Sequence, residues 1–329
     1  MARLKLMTKE TYKKVNQESK DLLDDYSLEL ESQGKSERTI YQYQADIKGF
    51  LCWNCDNAQN KYLLELKKRD FRKFFLTMVK NGTSSARINR FQSSLRNILE
   101  YAVDEDDDVY DYEVNEMHSL KGMTKKPVRD VVFLTDEQIT TLLDKLIEDK
   151  KYELATFVSL AYDSAARRNE IRQVNIKNFL TSNSSNKVIG KRSKEFKLMY
   201  FDRTKKIAKL WIDSRKDDSE AMFIDTVDGQ LIRANNNTLY GFILELRKYL
   251  KDIYEKDIHI KTHDFRHSAL ENYSNGTHYM LKQLGKKELP LNVLKVIAHH
   301  SSIDTTQSYL ENHDDDIIEE TFGINLGGE

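Results

Sequence analysis

Residues that interrupt helices are scarce in this chain of 329 residues, which has two prolines, Pro127 and Pro290, and 12 glycines. Few interruptions favour long helices, so a mainly helical protein is predicted. Two cysteines, Cys52 and Cys55, exclude a disulfide framework. Their single C-x-x-C unit provides half of a four-ligand zinc site, and the β-α-β context of a redox pair is not evident. Both are therefore interpreted as ordinary thiols in a helix.

Long apolar runs are missing as well. No stretch of 18 uncharged apolar residues occurs, and residues 1–20 lack the apolar segment of a signal peptide. We therefore expect a cytoplasmic protein with no membrane partner. Charged residues make up 32% of the chain and aromatic residues 10%, enough for a solvated surface around substantial cores. The length favours two domains.

The net charge of −1 conceals four blocks of opposite sign. The net charge is +6 over residues 1–103, −8 over 104–120, +8 over 121–310 and −7 over 311–329. Two basic bodies are thus separated by an acidic segment and followed by an acidic tail. Such bodies attract phosphate groups, although solvated helices with a chance local excess of charge would give the same counts.

The first 103 residues are predicted to form a bundle of about four helices. Apolar residues recur there with helical spacing, and Gly34 and Gly82 interrupt the pattern. Serines that can cap a helix follow each interruption, at Ser36 and at Ser84 or Ser85. The predicted helices span residues 21–31, 37–52, 69–79 and 86–103.

A change of composition near residue 120 indicates a domain boundary. Five acidic residues at 104–108 precede a basic, proline-containing segment at 121–129, a composition typical of an interdomain linker. The predicted division is an N-terminal extension at 1–20, a helical domain at 21–120, a linker at 121–130 and a second domain at 131–329.

The second domain is predicted to begin with a helix and to contain one small antiparallel sheet. Thr135 and Gln138 have the spacing of a capping box ahead of an apolar run. Between residues 187 and 210 the pattern changes to short β-like runs separated by Gly190, the one convincing β element of the sequence. Strands are predicted at 187–189 and 196–201, and further helices at 237–254, 264–273 and 291–299.

Several polar residues in this domain suit phosphate chemistry, yet each has an ordinary structural interpretation. His263 and Arg266 would be neighbours on one helical face, with Thr262 as N-cap, but such pairs are common on protein surfaces. Arg167 follows small residues that permit close backbone approach, and it would equally pair with Glu170.

Two further candidates lie nine residues apart near the end of the chain. His300 closes a helical run, and Tyr309 follows after a turn in which Asp304 is a plausible N-cap. A single tyrosine among 17 is usually a core or surface residue. Taken alone, neither position establishes a function.

The order of these residues is more informative than any one of them, because together they resemble the active-site series of the tyrosine recombinases of the phage-integrase type. The family's patterns are T-G-L-R-x-x-E-L, G-K-x-x-K-E, H-x-L-R-H and L-G-H-x-x-x-x-T-T-x-x-Y. Here they read S-A-A-R-R-N-E-I at 164–171, G-K-R-S-K-E at 190–195, H-D-F-R-H at 263–267 and I-A-H-H-S-S-I-D-T-T-Q-S-Y at 297–309.

The resemblance covers residues 20–320 and departs from the family at a few positions. Ala165 and Ala166 replace glycine and leucine, and His299 stands where glycine is common. The spacing to Tyr309 assigns the catalytic position to His300. The implied fold is a helical core-DNA-binding domain followed by an α+β catalytic domain with a C-terminal exchange tail.

The resemblance implies cleavage and rejoining of DNA through a 3′-phosphotyrosyl intermediate on Tyr309. Arg167 and Arg266 would bind the non-bridging oxygens of the phosphate, with His300 as a further donor. His263 is the candidate base for the phenol. Lys191, in the predicted hairpin, is the candidate acid for the leaving 5′ oxygen.

No cofactor is expected for this chemistry. The covalent intermediate keeps the energy of the broken bond, so ATP is unnecessary, and the sequence has no G-x-x-x-x-G-K-[ST] loop. The histidines have no spacing typical of metal ligands, so no metal site is predicted.

The implied partner is a double-stranded recombination site, and the implied assembly on DNA is a homotetramer. The apolar residues of 317–326 resemble the tail that the family passes to a neighbouring subunit. A mobile-element role is favoured; a catalytically silent DNA-binding factor, a type IB topoisomerase and a telomere resolvase are the alternatives. The predicted DNA contacts are Arg87, Arg90, Arg96, Arg72 and Lys73.

Overall fold

The structure is a computed structural model, and it describes residues 6–104, 109–124 and 131–299. The chain divides into two compact units, residues 1–130 and 131–329. Helices dominate both, as predicted from the scarcity of proline and glycine. None of the helices in the described part of the chain has the length and apolar character needed to span a bilayer.

The described part of the first unit contains five α-helices, including all four that the sequence predicts. Ser36 caps α3 as expected, since its hydroxyl accepts a hydrogen bond from the Thr39 amide at 3.3 Å. The Ser84 hydroxyl accepts one from the Arg87 amide at 3.4 Å. The helices are α1 Lys9–Lys14, α2 Gln17–Ser32, α3 Glu37–Asn57, α4 Lys68–Lys80 and α5 Ser85–Asp104.

Stacked and edge-on aromatic rings fill the core of the first unit. Phe50 of α3 packs on Phe71 and Phe74 of α4, with ring centroids 5.2 and 4.9 Å apart. The predicted extension at 1–20 contributes to this unit, because Val15 is buried in the same core and the Ser19 hydroxyl accepts a hydrogen bond from the Leu63 amide. The two cysteines are free thiols in α3.

The second unit is an α+β fold with two small antiparallel sheets. Its first helix begins with the predicted capping box, in which Thr135 and Gln138 each bind the other's backbone amide. The described helices are α6 Asp136–Glu148, α7 Tyr152–Ser164, α8 Arg168–Ile171, α9 Asp202–Ser214, α10 Asn236–Tyr254, α11 Asp264–Ser274, α12 Tyr279–Gln283 and α13 Leu291–Ile297. The strands are β1 Ser184–Ile189, β2 Glu195–Met199, β3 Ile224–Val227 and β4 Gln230–Arg233.

Two predictions for this unit are wrong. The region up to residue 210 was expected to be β-like, but α9 begins at Asp202, directly after the second strand. The prediction of one β element missed the β3–β4 hairpin. Asp228 and Gly229 form its turn with φ of +51° and +77°, and an Asp-Gly pair is the residue preference of that turn.

A buried histidine makes the stability of the second unit depend on pH. The His278 ring is fully buried and stacks between Tyr162 and Tyr273, at centroid distances of 4.5 and 3.9 Å. Its Nδ1 accepts a hydrogen bond from the Met280 amide at 3.2 Å. Burial, followed by the nearby positive charges of Arg203 and Lys282, lowers the pKa of His278 to about 2.

We expect the free energy of unfolding to fall as the pH is lowered below about 6.5. Below that pH His278 is protonated in the unfolded chain but stays neutral in the folded chain. The free energy of unfolding therefore falls by about 1.4 kcal/mol per pH unit. Urea denaturation at pH 7.5 and 5 measures the loss. In His278→Asn, which keeps a helix-capping acceptor, the loss should be about 2 kcal/mol smaller. The same loss in both proteins would contradict the assignment, and the exposed His259→Asn is the control.

Candidate active site

A left-handed turn after α7 presents Arg167. Ala165 ends the helix with φ of +49°, and Arg167 then occupies the N-cap of the short helix α8. The Arg167 Nη1 donates to Glu170 Oε1 at 3.1 Å, and the Arg167 amide donates to Glu170 Oε2 at 2.7 Å. The expected pairing with Glu170 is thus confirmed. Because this carboxylate is buried and the Arg167 side chain is about one quarter exposed, Glu170 anchors one end of a guanidinium that stays partly accessible.

Arg266, in the first turn of α11, is fully buried and links two distant segments. Its Nη1 donates to the Ala165 carbonyl at 2.5 Å and its Nη2 donates to the Ala298 carbonyl at 2.6 Å. Ala165 lies two residues before Arg167, and Ala298 lies two residues before His300. One guanidinium fork therefore fixes the Arg167 turn against the end of α13, a role that the sequence does not reveal.

The β1–β2 hairpin carries Lys191 as predicted. Val188 pairs with Phe196 in this hairpin, and Lys191 begins a 3-10 turn between the strands, where it is exposed. The Gly190 amide donates to the Lys194 carbonyl at 2.8 Å and closes the turn. Gly190 also lies close to α8, because a Cβ there would be 3.3 Å from Glu170 Oε1. The hairpin therefore brings Lys191 to the same region as Arg167.

His299 follows α13 and lies among the cationic groups of this region. Its backbone has φ of +52°, a left-handed conformation that glycine adopts more readily than a residue with a side chain. Burial, followed by the charges of Lys194, Arg266 and Arg167, lowers the pKa of His299 to about 4. The imidazole is therefore neutral at neutral pH. In the sequence His299 is marked only by its departure from the family pattern, so no role was predicted for it.

His263 occupies the N-cap position of α11, half-buried and three residues before Arg266. The prediction that Thr262 caps this helix is wrong, because His263 takes that position and no side chain accepts a capping hydrogen bond. The His263 ring lies 6.2 Å from that of His267. His300 and Tyr309 lie outside the described residues, as does the predicted cap Asp304.

The structure thus gathers Arg167, Arg266 and the Lys191 turn in one region of the second unit, with His299 between the two guanidinium groups and the hairpin. Positive charge prevails there, and the described part of the chain holds no cluster of three or more histidine, cysteine or acidic side chains suited to a metal ion. Such a region suits an anionic ligand like a phosphodiester.

The candidate DNA contacts of α5 do not share one environment. Arg90 donates from Nε and Nη2 to the nearly buried carboxylate of Asp46, at 2.8 and 2.7 Å. Arg87 lies over the Phe91 ring, 5.7 Å from its centroid. Arg96 is nine residues from Arg87, which places it on the opposite face of the helix.

The remaining candidates have simpler surroundings. The Arg96 Nη2 donates to the Leu120 carbonyl at 3.1 Å. Arg72 and Lys73 of α4 are exposed, and Lys73 forms a long ion pair with Asp70 at 3.5 Å. Their contact with DNA stays a prediction, as it does for the arginines of α5.

Comparison with known proteins decides the family. Residues 132–316 match the phage integrase family, and residues 23–106 match the N-terminal SAM-like domain of phage integrases. The chain belongs to the phage integrase family. It is a tyrosine recombinase, as the active-site series indicated, and the predicted fold class is confirmed.

Its relatives include a SPbeta prophage-derived recombinase-like protein, YomM, of Bacillus subtilis, 25% identical over 94% of this chain and 91% of that protein. The tyrosine recombinase XerC of Treponema denticola is 24% identical over 82% of this chain and 87% of its own length.

Solved structures show the same fold. An integrase of the transposon Tn1549, in complex with transposon right end DNA, superposes with a TM-score of 0.68 at 16% identity, over 92% of this chain and 98% of that one. A lambda integrase dimer bound to a core site gives a TM-score of 0.66 at 14% identity, over 88% and 94%.

Proposed function

We propose that this chain is a site-specific recombinase that integrates or excises a mobile element through a 3′-phosphotyrosyl intermediate on Tyr309. The observation that carries the proposal is the Arg266 fork, which draws the Arg167 turn and the end of α13 together. Residues of the active-site series that are far apart in sequence thereby surround one cationic region. The mobile-element role is supported by the relatives, one derived from a prophage and one from a transposon.

In the proposed reaction the Tyr309 oxygen attacks phosphorus, and the bond from phosphorus to the 5′ oxygen breaks. His263 takes the phenol proton and Lys191 gives a proton to the leaving 5′ oxygen, which becomes a hydroxyl. Rejoining reverses these steps on the partner strand.

The cations act on the charge that builds up during attack. Arg167 and Arg266, with His300, stabilise the non-bridging oxygens of the five-coordinate phosphorus. Glu170 supports this role, because it binds one nitrogen of the Arg167 guanidinium, Nη1, while about one quarter of the side chain stays exposed. The residues of the series therefore divide into three groups, for proton transfer, charge stabilisation and nucleophilic attack.

Trapping of the covalent intermediate tests the proposal. A duplex from the DNA flanking the gene is nicked beside the scissile phosphate, so that the short 5′-hydroxyl fragment diffuses away and cannot rejoin. We expect a protein–DNA adduct on a denaturing gel, formed equally in EDTA, and peptide mass mapping should place the DNA on Tyr309. Strand breakage that leaves no adduct, or that requires a divalent metal, would overturn the proposal.

The division of the chain and its DNA contacts follow from the same proposal. Residues 21–120 serve as the core-DNA-binding domain and 131–329 as the catalytic domain, joined by a linker at 121–130. Arg87, Arg90 and Arg96 of α5, with Arg72 and Lys73 of α4, would supply phosphate contacts. Arg90 would do so while its guanidinium also neutralises Asp46.

We further propose that the protein is a monomer in solution and a homotetramer on DNA, assembled by exchange of the C-terminal tail. A lambda integrase tetramer on a Holliday junction, with the same fold, supports this assembly. Deletion of residues 316–329, which lie outside the described residues, should lower recombination at least about tenfold and cleavage of a single nicked site less than about twofold, since only the former needs neighbouring subunits. Equal losses in the two assays would count against tail exchange.

A further inference from the structure

The rings of Phe196 and His299 stack face to face, and no step of the mechanism above uses either of them. Their centroids lie 3.8 Å apart and their planes are inclined by 23°. Phe196 belongs to β2 and His299 follows α13, so the contact joins segments about a hundred residues apart in the sequence. Both residues are half-buried at the candidate site.

The His299 ring is held in place although the backbone of this residue adopts an energetically unfavourable conformation. With φ of +52°, it adopts a conformation that glycine enters freely and that a residue with a Cβ avoids. At this position the chain nevertheless carries an aromatic ring, which lies against Phe196. Stacking is the visible interaction that offsets the unfavourable backbone.

The same Phe196 ring covers the base of the Lys191 turn. A Cβ added to Gly190 would lie 2.5 Å from Phe196 Cε1, so the ring packs directly on the backbone of the residue before Lys191. The Gly190 amide closes the turn onto the Lys194 carbonyl. The position of the turn therefore depends on where this ring lies.

The other end of the stack is tied to the arginines. His299 directly follows Ala298, whose carbonyl is held by Arg266, and Arg266 also holds Ala165 beside Arg167. A continuous series of contacts thus runs from the Arg167 turn through Arg266 and His299 to Phe196 and the hairpin. Because burial, followed by the nearby cations, keeps the imidazole neutral by lowering its pKa, the stack brings no further positive charge into the site.

We propose that the Phe196–His299 stack positions Lys191, fixing the turn that carries the general acid relative to Arg167 and Arg266. Both are positioning residues, since they act through the hairpin and not on the DNA. The proposal rests on the general-acid role given to Lys191 under the proposed function.

A sulfur leaving group separates the positioning of Lys191 from every other contribution to cleavage. When the 5′ bridging oxygen of the scissile phosphate is replaced by sulfur, the leaving group departs as a thiolate without taking a proton, because thiols have a pKa of about 8.5 and are far more acidic than alcohols. If a variant is impaired only in general-acid catalysis, the substrate with bridging sulfur therefore restores its cleavage rate. A defect in folding, DNA binding or charge stabilisation persists with either atom.

Cleavage rates of nicked site DNA with bridging oxygen or bridging sulfur provide the measurement. Lys191→Ala should be slowed about 10²- to 10⁴-fold with oxygen, the usual contribution of a general acid, and restored by sulfur. Phe196→Leu and His299→Gly should each be slowed at least about tenfold with oxygen and less than about threefold with sulfur. His299→Phe, which keeps a flat ring, should recover most of the rate on oxygen.

Phe179→Leu is the matched control, since Phe179 stacks on Tyr200 in the same unit, near the opposite end of β1. Its rates should change equally for both leaving groups. The positioning role is refuted, and the function stands, if sulfur restores the cleavage rate of Lys191→Ala but does not do so for the stack variants. In that case the cleavage rates of Phe196→Leu and His299→Gly fall equally on both substrates or do not fall at all. If sulfur fails to restore Lys191→Ala, the general-acid role of Lys191 is refuted and the positioning role with it. If wild type cleaves neither substrate, the proposed function itself fails.

Discussion

Substitution of Tyr309 with phenylalanine is expected to remove the covalent protein–DNA adduct completely. Phenylalanine keeps the ring and loses the oxygen that would bond to phosphorus, and loss of a covalent nucleophile lowers a rate on the order of 10⁶-fold. The amount of covalent adduct formed with nicked site DNA is measured, and the affinity for the same DNA is measured in a binding titration. Binding should be unchanged, because the phenol oxygen is needed for the reaction and not for the contacts with the phosphate backbone.

The other tyrosines provide the control for this prediction. Tyr162 and Tyr273 lie close in sequence to Arg167 and Arg266, but burial raises the pKa of each phenol well above its usual value, which disfavours the phenolate needed for attack. The exposed Tyr240 is a suitable comparison, and Tyr240→Phe should form the adduct at the wild-type rate. Persistence of the adduct in Tyr309→Phe would assign the nucleophile elsewhere, whereas DNA binding by wild type without any adduct would favour a catalytically silent factor.

Substitution of Arg266 is expected to have the second-largest effect. Arg266→Ala should lower the cleavage rate by about 10³-fold or more, since it removes a cation from the site and releases the two segments that the fork holds. It also leaves the buried carbonyls of Ala165 and Ala298 without this donor, at about 1–3 kcal/mol each. Urea denaturation should therefore show a loss of about 2–6 kcal/mol.

Arg266→Lys separates charge from geometry. A lysine keeps the positive charge, but its single ammonium group cannot span two carbonyls as the planar guanidinium does. We expect a cleavage rate about 10²-fold below wild type with a smaller loss of stability.

Arg247→Ala is the matched control for these variants, because Arg247 also donates to a backbone carbonyl, that of Ile260 at 2.8 Å. It should lose stability and keep its cleavage rate per folded molecule. If the cleavage rates of Arg247→Ala and Arg266→Ala fall equally, the effect of the Arg266 substitution is explained by a general loss of folding and not by a role in the site.

Local features of the fold were predictable where the interaction spans a few residues. The Thr135 capping box and the Ser36 N-cap depend on contacts between residues three apart, so the sequence contains all of their determinants. The failures have equally local causes. The strands of the β3–β4 hairpin are largely exposed, so no alternation of apolar and polar residues marks them, although the Asp228-Gly229 turn was present in the sequence. The helix α9 follows β2 without an interrupting glycine or proline.

The candidate site was predictable as a set of residue types and not as a geometry. The ordered series from Arg167 to Tyr309 indicated the family, and comparison with known proteins confirmed it. The pairing of Arg167 with Glu170 was also expected from their spacing. The fork of Arg266 and the aromatic partner of His299 were not, because each joins segments about a hundred residues apart.

The sequence by itself determined the helical character of this protein, most of its helix boundaries and the kind of chemistry that its charged side chains suit. Those properties arise from propensity, capping and the intrinsic chemistry of each residue. Tertiary structure alone decided that Arg266 is buried between two carbonyls and that His299 takes a left-handed backbone against Phe196. A buried donor needs partners and a strained backbone needs compensation, and the packing of distant segments determines where these come from.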